Sequence, residues 1–374
     1  MSAAIIFGIL FILFLLASIM IYFSLYILRL LSPELSPLLS GSQTKLQLDH
    51  SLTELDAIDL FVVYSHLFAK SIRRPSLKID QEGQFSVPKV QIDAPFFFTT
   101  DKLRSYTEAT NFRQGMRDEE IHAERIPPFL LSGLTMPLVV SLLAHPTSPI
   151  NPLGSVNTRC RIKCHRPDFL KDQGKKLFAH AEFVSNSGRR VKRGVEFSIS
   201  VCVFLDNSGQ KNRVEEVIWE CEYSYLQFLK SSSQSSVVLP SDTPAENQER
   251  KSQKVGRLMF PFHAPGLYAS FCRDYNPIHL SSLAGKYLFR LGGKICHGMG
   301  VLCAASHIEE LQQKWYGEPW WLDIHFRRPA VVPLQMDVEI EQSPDGKNQF
   351  YVVFADGRNK GKCSSDGMFG TIKF

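Results

Sequence analysis

The chain has 374 residues, of which 44% are hydrophobic and 21% charged, with a net charge of +5. This composition excludes a chain that is disordered overall and is large enough for two ordinary domains or one large one. No block of Lys and Arg interleaves with aromatics, so no nucleic-acid partner is expected, and clusters such as Arg189-Arg190 and Lys192-Arg193 read as solvated loop.

Residues Ala3–Leu28 carry no charge and are long enough to cross a bilayer. The run is too long and lacks the basic start of a signal peptide, so residues 1–31 read as an uncleaved transmembrane anchor. Arg29 follows the run, which predicts a single-pass membrane protein with its body in the cytosol. Residues 32–87 read as a connector containing one helix candidate, Leu52–Lys70.

A first folded half is expected over 88–228. Its apolar segment Phe129–His145 suits a buried helix interrupted at Pro137. Within Glu196–Phe204, Phe197, Ile199, Val201 and Val203 fall on one face, as in a half-buried strand. Asp206–Gly209 reads as a turn and Val217–Leu226 as the partner strand of a hairpin. Residues 229–254, rich in Ser, Gln, Pro and Glu, read as a linker. The second half, 255–374, has a helix candidate at Gly298–Lys314 and strands at Trp321–Arg327, Leu334–Glu341 and Gln349–Phe354, with a turn at Asp345-Gly346. Each half thus shows an apolar helix followed by antiparallel strands, and a sheet wrapped round a helix, in two copies, buries both helices.

The 8 cysteines are scattered. Cys160-x-x-x-Cys164-His165 lacks the second pair a zinc site needs, so no metal is expected and the thiols read as free.

The chemistry concentrates in Asp274-x-Asn276-Pro277-Ile278-His279, followed by His297-Gly298-Met299. Five residues apart on a straight helix, Asp274 and His279 would not meet. Pro277 pushes Asn276 out of the helical region, and the resulting turn can fold Asp274 back towards His279. An acid and an imidazole can then share one water. Asn276 offers an amide that orients a side chain or a substrate carbonyl. Gly298 opens a helix whose first N–H groups have no intrahelical partner and favour developing negative charge, as in an oxyanion hole. Asp-x-Asn alone is also a common capping pair, and His297 alone could simply brace the helix start. The combination is more specific than its parts.

These residues resemble the motif of MaoC-like dehydratases, the (R)-specific enoyl-CoA hydratases. The resemblance implies an α+β double-hotdog fold, placed here after the transmembrane helix. It implies that Asp274 and His279 activate water and that the Gly298 N–H holds the thioester oxygen, with Asn276, Arg273 and His297 supporting or binding substrate. The first half has no such motif and, on this resemblance, makes room for the acyl chain. Cys272-Arg273 departs from the small Ser-Gly pair usual in the family, so Arg273 is expected to narrow the site or meet a CoA phosphate. The expected reaction interconverts a trans-2-enoyl thioester and a 3-hydroxyacyl thioester, with acyl-CoA as substrate, no cofactor and a possible homodimer. The competing readings are a non-catalytic membrane-held acyl-thioester binder or scaffold, and a hotdog thioesterase.

Overall fold

The computed structural model describes residues 32–49, 51, 55–73, 77–97, 99–111, 127–148, 150, 153, 155–168, 176–206, 216–229, 252–312, 315, 318–341, 348–355 and 360–371. The first part of the chain forms α1 (Ser36–Ser40), β1 (Lys45–Gln47), α2 (Ala57–Arg73), β2 (Gln91–Phe96), α3 (Thr100–Thr110), α4 (Leu130–Leu134) and α5 (Met136–Ala144). The strands β3 (Val156–Cys164), β4 (Lys176–Phe183), β5 (Arg189–Val191), β6 (Gly194–Asp206) and β7 (Glu216–Phe228) follow. The second part forms β8 (Gln253–Phe260), α6 (Ala264–Cys272), α7 (Pro277–Leu280), a π-helical turn at Ala284–Leu288, α8 (Gly298–Ala305) and α9 (Glu309–Gln312). It ends in β9 (Trp320–Phe326), β10 (Leu334–Glu341), β11 (Asn348–Phe354) and β12 (Cys363–Thr371).

The strands join into one sheet in the order β1-β2-β4-β6-β7-β3-β9-β12-β11-β10-β8, with β5 paired to β6 off that path. The two halves meet where β3 pairs antiparallel with β9, from Arg159 opposite His325 to Cys164 opposite Trp320. This edge-to-edge ladder leaves neither half with an open strand at the junction.

Alternation builds the hairpin β6–β7. Phe197, Ile199, Val201 and Val203 are all buried, and β6 pairs with β7 along nearly its whole length. Met336, Val338 and Ile340 do the same for β10. The apolar segment after Phe129 forms two helices that break at Thr135. Pro137 lies in the first turn of α5, where a missing N–H has no intrahelical role, so it opens the second helix. The helix expected over Gly298–Lys314 ends at Ala305. Its backbone bonds then tighten to i–3 spacing at His307 and Ile308, α9 follows, and residues 313–314 lie outside the described residues. Residues 207–209 of the turn after Asp206, the turn at Asp345-Gly346 and most of the linker 229–254 also lie outside them.

Two contacts lock the halves over the central helices. Phe129, Trp315, Trp320 and Phe369 cluster, with ring centroids 5.0–5.6 Å apart in successive pairs. Gly133 in α4 lets the Phe271 ring approach so closely that an added Cβ would lie 2.1 Å from its Cε1.

The expected location as a single-pass membrane protein is corrected. Among the described residues no helix is long and apolar enough to cross a membrane. The segment Ala3–Leu28, on which that expectation rested, lies outside the described residues.

Candidate functional site

The motif folds as its residue types dictate. Helix α6 stops at Arg273, which adopts the left-handed conformation with φ 59° and ψ 19°. Asp274 then makes an Asx turn, its Oδ1 accepting from the Asn276 N–H at 3.1 Å. Asn276 caps α7, its side-chain oxygen accepting from the Ile278 N–H at 3.4 Å, and Pro277 occupies the first turn. One turn later His279 points inward, and its Nδ1 lies 2.9 Å from the Ile295 carbonyl. A carbonyl can only accept, so Nδ1 carries the proton and Nε2 keeps a lone pair. The Ile295 N–H returns a bond to the Ile278 carbonyl, which fixes both sides of this contact.

His297 stacks on His279, with ring centroids 3.5 Å apart and planes 20° from parallel. Its Nε2 donates to the Asp274 carbonyl at 3.2 Å and lies 3.6 Å from Asp274 Oδ2. His297 is also the residue before Gly298, so its backbone sets the start of α8. Burial pulls the His279 imidazole below its usual range against the opposing Asp274 charge. Burial, and then His279, pull His297 well below the usual range, so both rings are neutral near pH 7.

At Gly298 a side chain has no room, because an added Cβ would lie 2.6 Å from Phe326 Cδ1. The Gly therefore lets the start of α8 sit directly against the Phe326 ring at the cavity wall.

Asp274, Asn276, His279, His297 and Gly298 all line one cavity of about 170 Å³. Its far wall comes from the first part of the chain: Met136, Val139, Val140 and Leu143 of α5, with Leu67 of α2 and Tyr225 of β7. Arg193, Arg327 and Arg328 also line it. Arg273 is not among the lining residues. Its Nη1 donates to Tyr275 Oη at 3.3 Å. Sequence reasoning missed Tyr64 of α2, which lines the cavity, donates to the Arg273 carbonyl at 2.9 Å and accepts from the Tyr275 N–H at 2.6 Å. No local signal could reveal this, since 209 residues separate the partners.

Asp274, His279 and His297 bring one oxygen and two nitrogens within 4.8 Å of one another. A metal ion must lie in the plane of each imidazole it binds, and rings stacked 20° from parallel have planes that do not meet within a bond length. The trio therefore suits protons and water better than an ion.

No protein-family profile matches the chain, and no curated protein matches it. Solved structures do. HtdX of Mycobacterium tuberculosis is 18% identical, with a TM-score of 0.56, and the match covers 75% of this chain and all of that one. A MaoC-like dehydratase from Phytophthora capsici is 16% identical over 82% of this chain and 99% of that one, with a TM-score of 0.53. The full-length peroxisomal multifunctional enzyme type 2 of Drosophila melanogaster is 14% identical over 76% of this chain and 48% of that one, with a TM-score of 0.52. The chain has the double-hotdog fold of MaoC-like dehydratase structures.

Proposed function

We propose that this chain is a MaoC-like hydratase/dehydratase that interconverts a trans-2-enoyl thioester and a 3-hydroxyacyl thioester. On this reading 255–374 is the catalytic half, and 88–228 is a half without chemistry that houses the acyl chain. The observation that supports it most is the convergence of Asp274, a neutral His279 with a free Nε2, and the start of α8 on one cavity with an apolar far wall.

Each group then has a role in the addition of water. Asp274 and His279 Nε2 hold one water between them. His279 takes its proton as the oxygen attacks C3 of the enoyl group. Electron density moves through C2 onto the thioester oxygen, which the Gly298 N–H and the partial positive charge at the start of α8 stabilise. The Asp274–His279 pair returns the proton to C2, so hydroxyl and hydrogen together amount to one water. Asn276 holds the loop through its cap, and His297 holds Asp274 through its carbonyl. The substrate is an acyl thioester, here proposed as acyl-CoA, and no cofactor enters the scheme.

The test is loss of the conjugated enoyl absorbance when the protein meets short and long enoyl-CoA. Asp274→Asn and His279→Ala are each expected to lower turnover at least ~100-fold, the scale of lost acid–base help. Unchanged turnover in both variants, or release of free thiol in place of hydration, refutes the reading.

A further inference from the structure

The geometry points to Tyr64 as a positioning residue for the catalytic loop, reaching from α2 to fix the backbone on both sides of Asp274. The inference rests on the hydratase reading above. One hydroxyl bonds the carbonyl of Arg273 and the N–H of Tyr275. Those groups belong to the peptide before Asp274 and the peptide after it, so the two torsions that aim the Asp274 carboxylate are clamped together.

The clamp matters because the loop is strained at that point. Arg273 holds φ at 59°, a left-handed conformation in which a side chain crowds the backbone. Such a residue stays in place only where its surroundings over-determine it. Tyr64 supplies that restraint from outside the catalytic half. The Tyr64 and Tyr275 rings also meet edge to face, with centroids 5.8 Å apart.

Helix α2 is a firm base for the clamp. Val62, Val63 and Leu67 are buried. Lys70 Nζ donates to the carbonyls of Leu143 and His145 at 2.8 and 2.9 Å, at the end of α5. Between Tyr64 and Lys70, Leu67 lines the cavity. The helix therefore ties the central helix of one half to the catalytic loop of the other.

The experiment compares Tyr64→Phe in two backgrounds, the natural chain and Arg273→Gly, where glycine adopts the left-handed conformation without crowding. In the natural chain Tyr64→Phe is expected to lower kcat about tenfold or more with KM within about threefold, as small misplacements of a reacting group do. In the Arg273→Gly background the same change is expected to lower kcat less than about threefold. An equal loss in both backgrounds, unchanged kcat, or a rise in KM alone overturns the inference. Hydrogen exchange at the Tyr275 amide separates it from the reading it rests on. If the natural chain hydrates no enoyl thioester, the hydratase reading fails. The clamp still stands when Tyr64→Phe speeds that exchange, and it falls when the exchange is unchanged.

Discussion

Gly298→Ala tests whether the start of α8 acts on the thioester oxygen. The added Cβ would lie 2.6 Å from Phe326 Cδ1 and 2.8 Å from two further ring atoms, where ordinary contact begins at 3.4 Å. Either the helix start or the ring must therefore move by about 0.8 Å, the difference between those two distances. A hydrogen bond of ~2.9 Å stretched by that much passes the range in which it holds. Loss of one such donor lowers kcat by about 10²–10³-fold, or ~2.7–4 kcal/mol of transition-state stabilisation. Overpacking itself costs about 1–3 kcal/mol of stability. Steady-state hydration of an enoyl-CoA gives the first figure and thermal unfolding the second. If the ring yields instead of the helix, KM changes, because Phe326 lines the cavity. Gly298→Ala with Phe326→Ala removes the clash and is expected to recover most of kcat. Natural kcat and an unchanged Tm in the single variant refute the argument, as does a double variant no better than the single one.

Three further outcomes follow from the geometry. Because burial lowers the His279 pKa from its ordinary 6.5, the neutral base survives until the pH falls below that value, and the acid limb of kcat/KM lies below 6.5. The unfolded chain takes up that proton first, so this group's contribution to stability is complete above pH 6.5 and is lost as the pH falls towards the lowered pKa. An acid limb above 6.5, or stability that does not decline below it, is the contrary result. Val140→Phe puts a ring into the apolar wall and is expected to raise KM for a long-chain enoyl-CoA at least ~10-fold while sparing a four-carbon one; equal effects on both show that the chain does not lie along α5. Gly133→Ala sets a Cβ 2.1 Å from Phe271 Cε1 and is expected to lower Tm by destabilising the fold ~1–3 kcal/mol, an effect that Phe271→Leu should relieve in thermal unfolding.

The conformation of the Asp274–His279 loop was legible in the sequence because its geometry is local. Pro277, the Asx turn of Asp274 and the cap of Asn276 are all decided within six residues. The β6–β7 hairpin was legible for the same reason, through alternation. Strand β12 was not, since Cys363–Thr371 carries Ser364, Ser365, Gly367 and Gly370 where a strand signal needs branched or aromatic residues. It is a strand because β9 and β11 flank it and pair both its edges. Strand β2 was hidden by Pro95, which lies beyond the last residue paired to β1, where that edge of β2 has no ladder to break. Arg273 was expected to narrow the site or meet a CoA phosphate. Its left-handed backbone instead turns the side chain towards Tyr275, a consequence of φ that residue type does not announce.

The two halves share a plan, and on the proposed reading they divide the work according to what lies on each central helix. In α5 every residue is buried, and among its nine side chains only the Ser141 hydroxyl is an ordinary polar group, with no acid or imidazole among them. Such a helix can wall a cavity but cannot move a proton. Helix α8 is as apolar along its length, yet its first turn is flanked by His297, Asp274 and His279, so its useful end is the one that meets the loop. A site drawn from both helices works only if the halves hold their relative position. The β3–β9 ladder joins the strands of both halves into one sheet, the Phe129–Trp315–Trp320 cluster packs across the halves, and α2 ties the end of α5 to the Asp274 loop. Of these three ties, α2 is the one that reaches the peptides on both sides of Asp274. On the proposed hydratase reading, loosening α2 alone leaves the fold standing while the aim of Asp274 is lost, and that reading places α2 with the catalytic apparatus although it contributes no reacting atom.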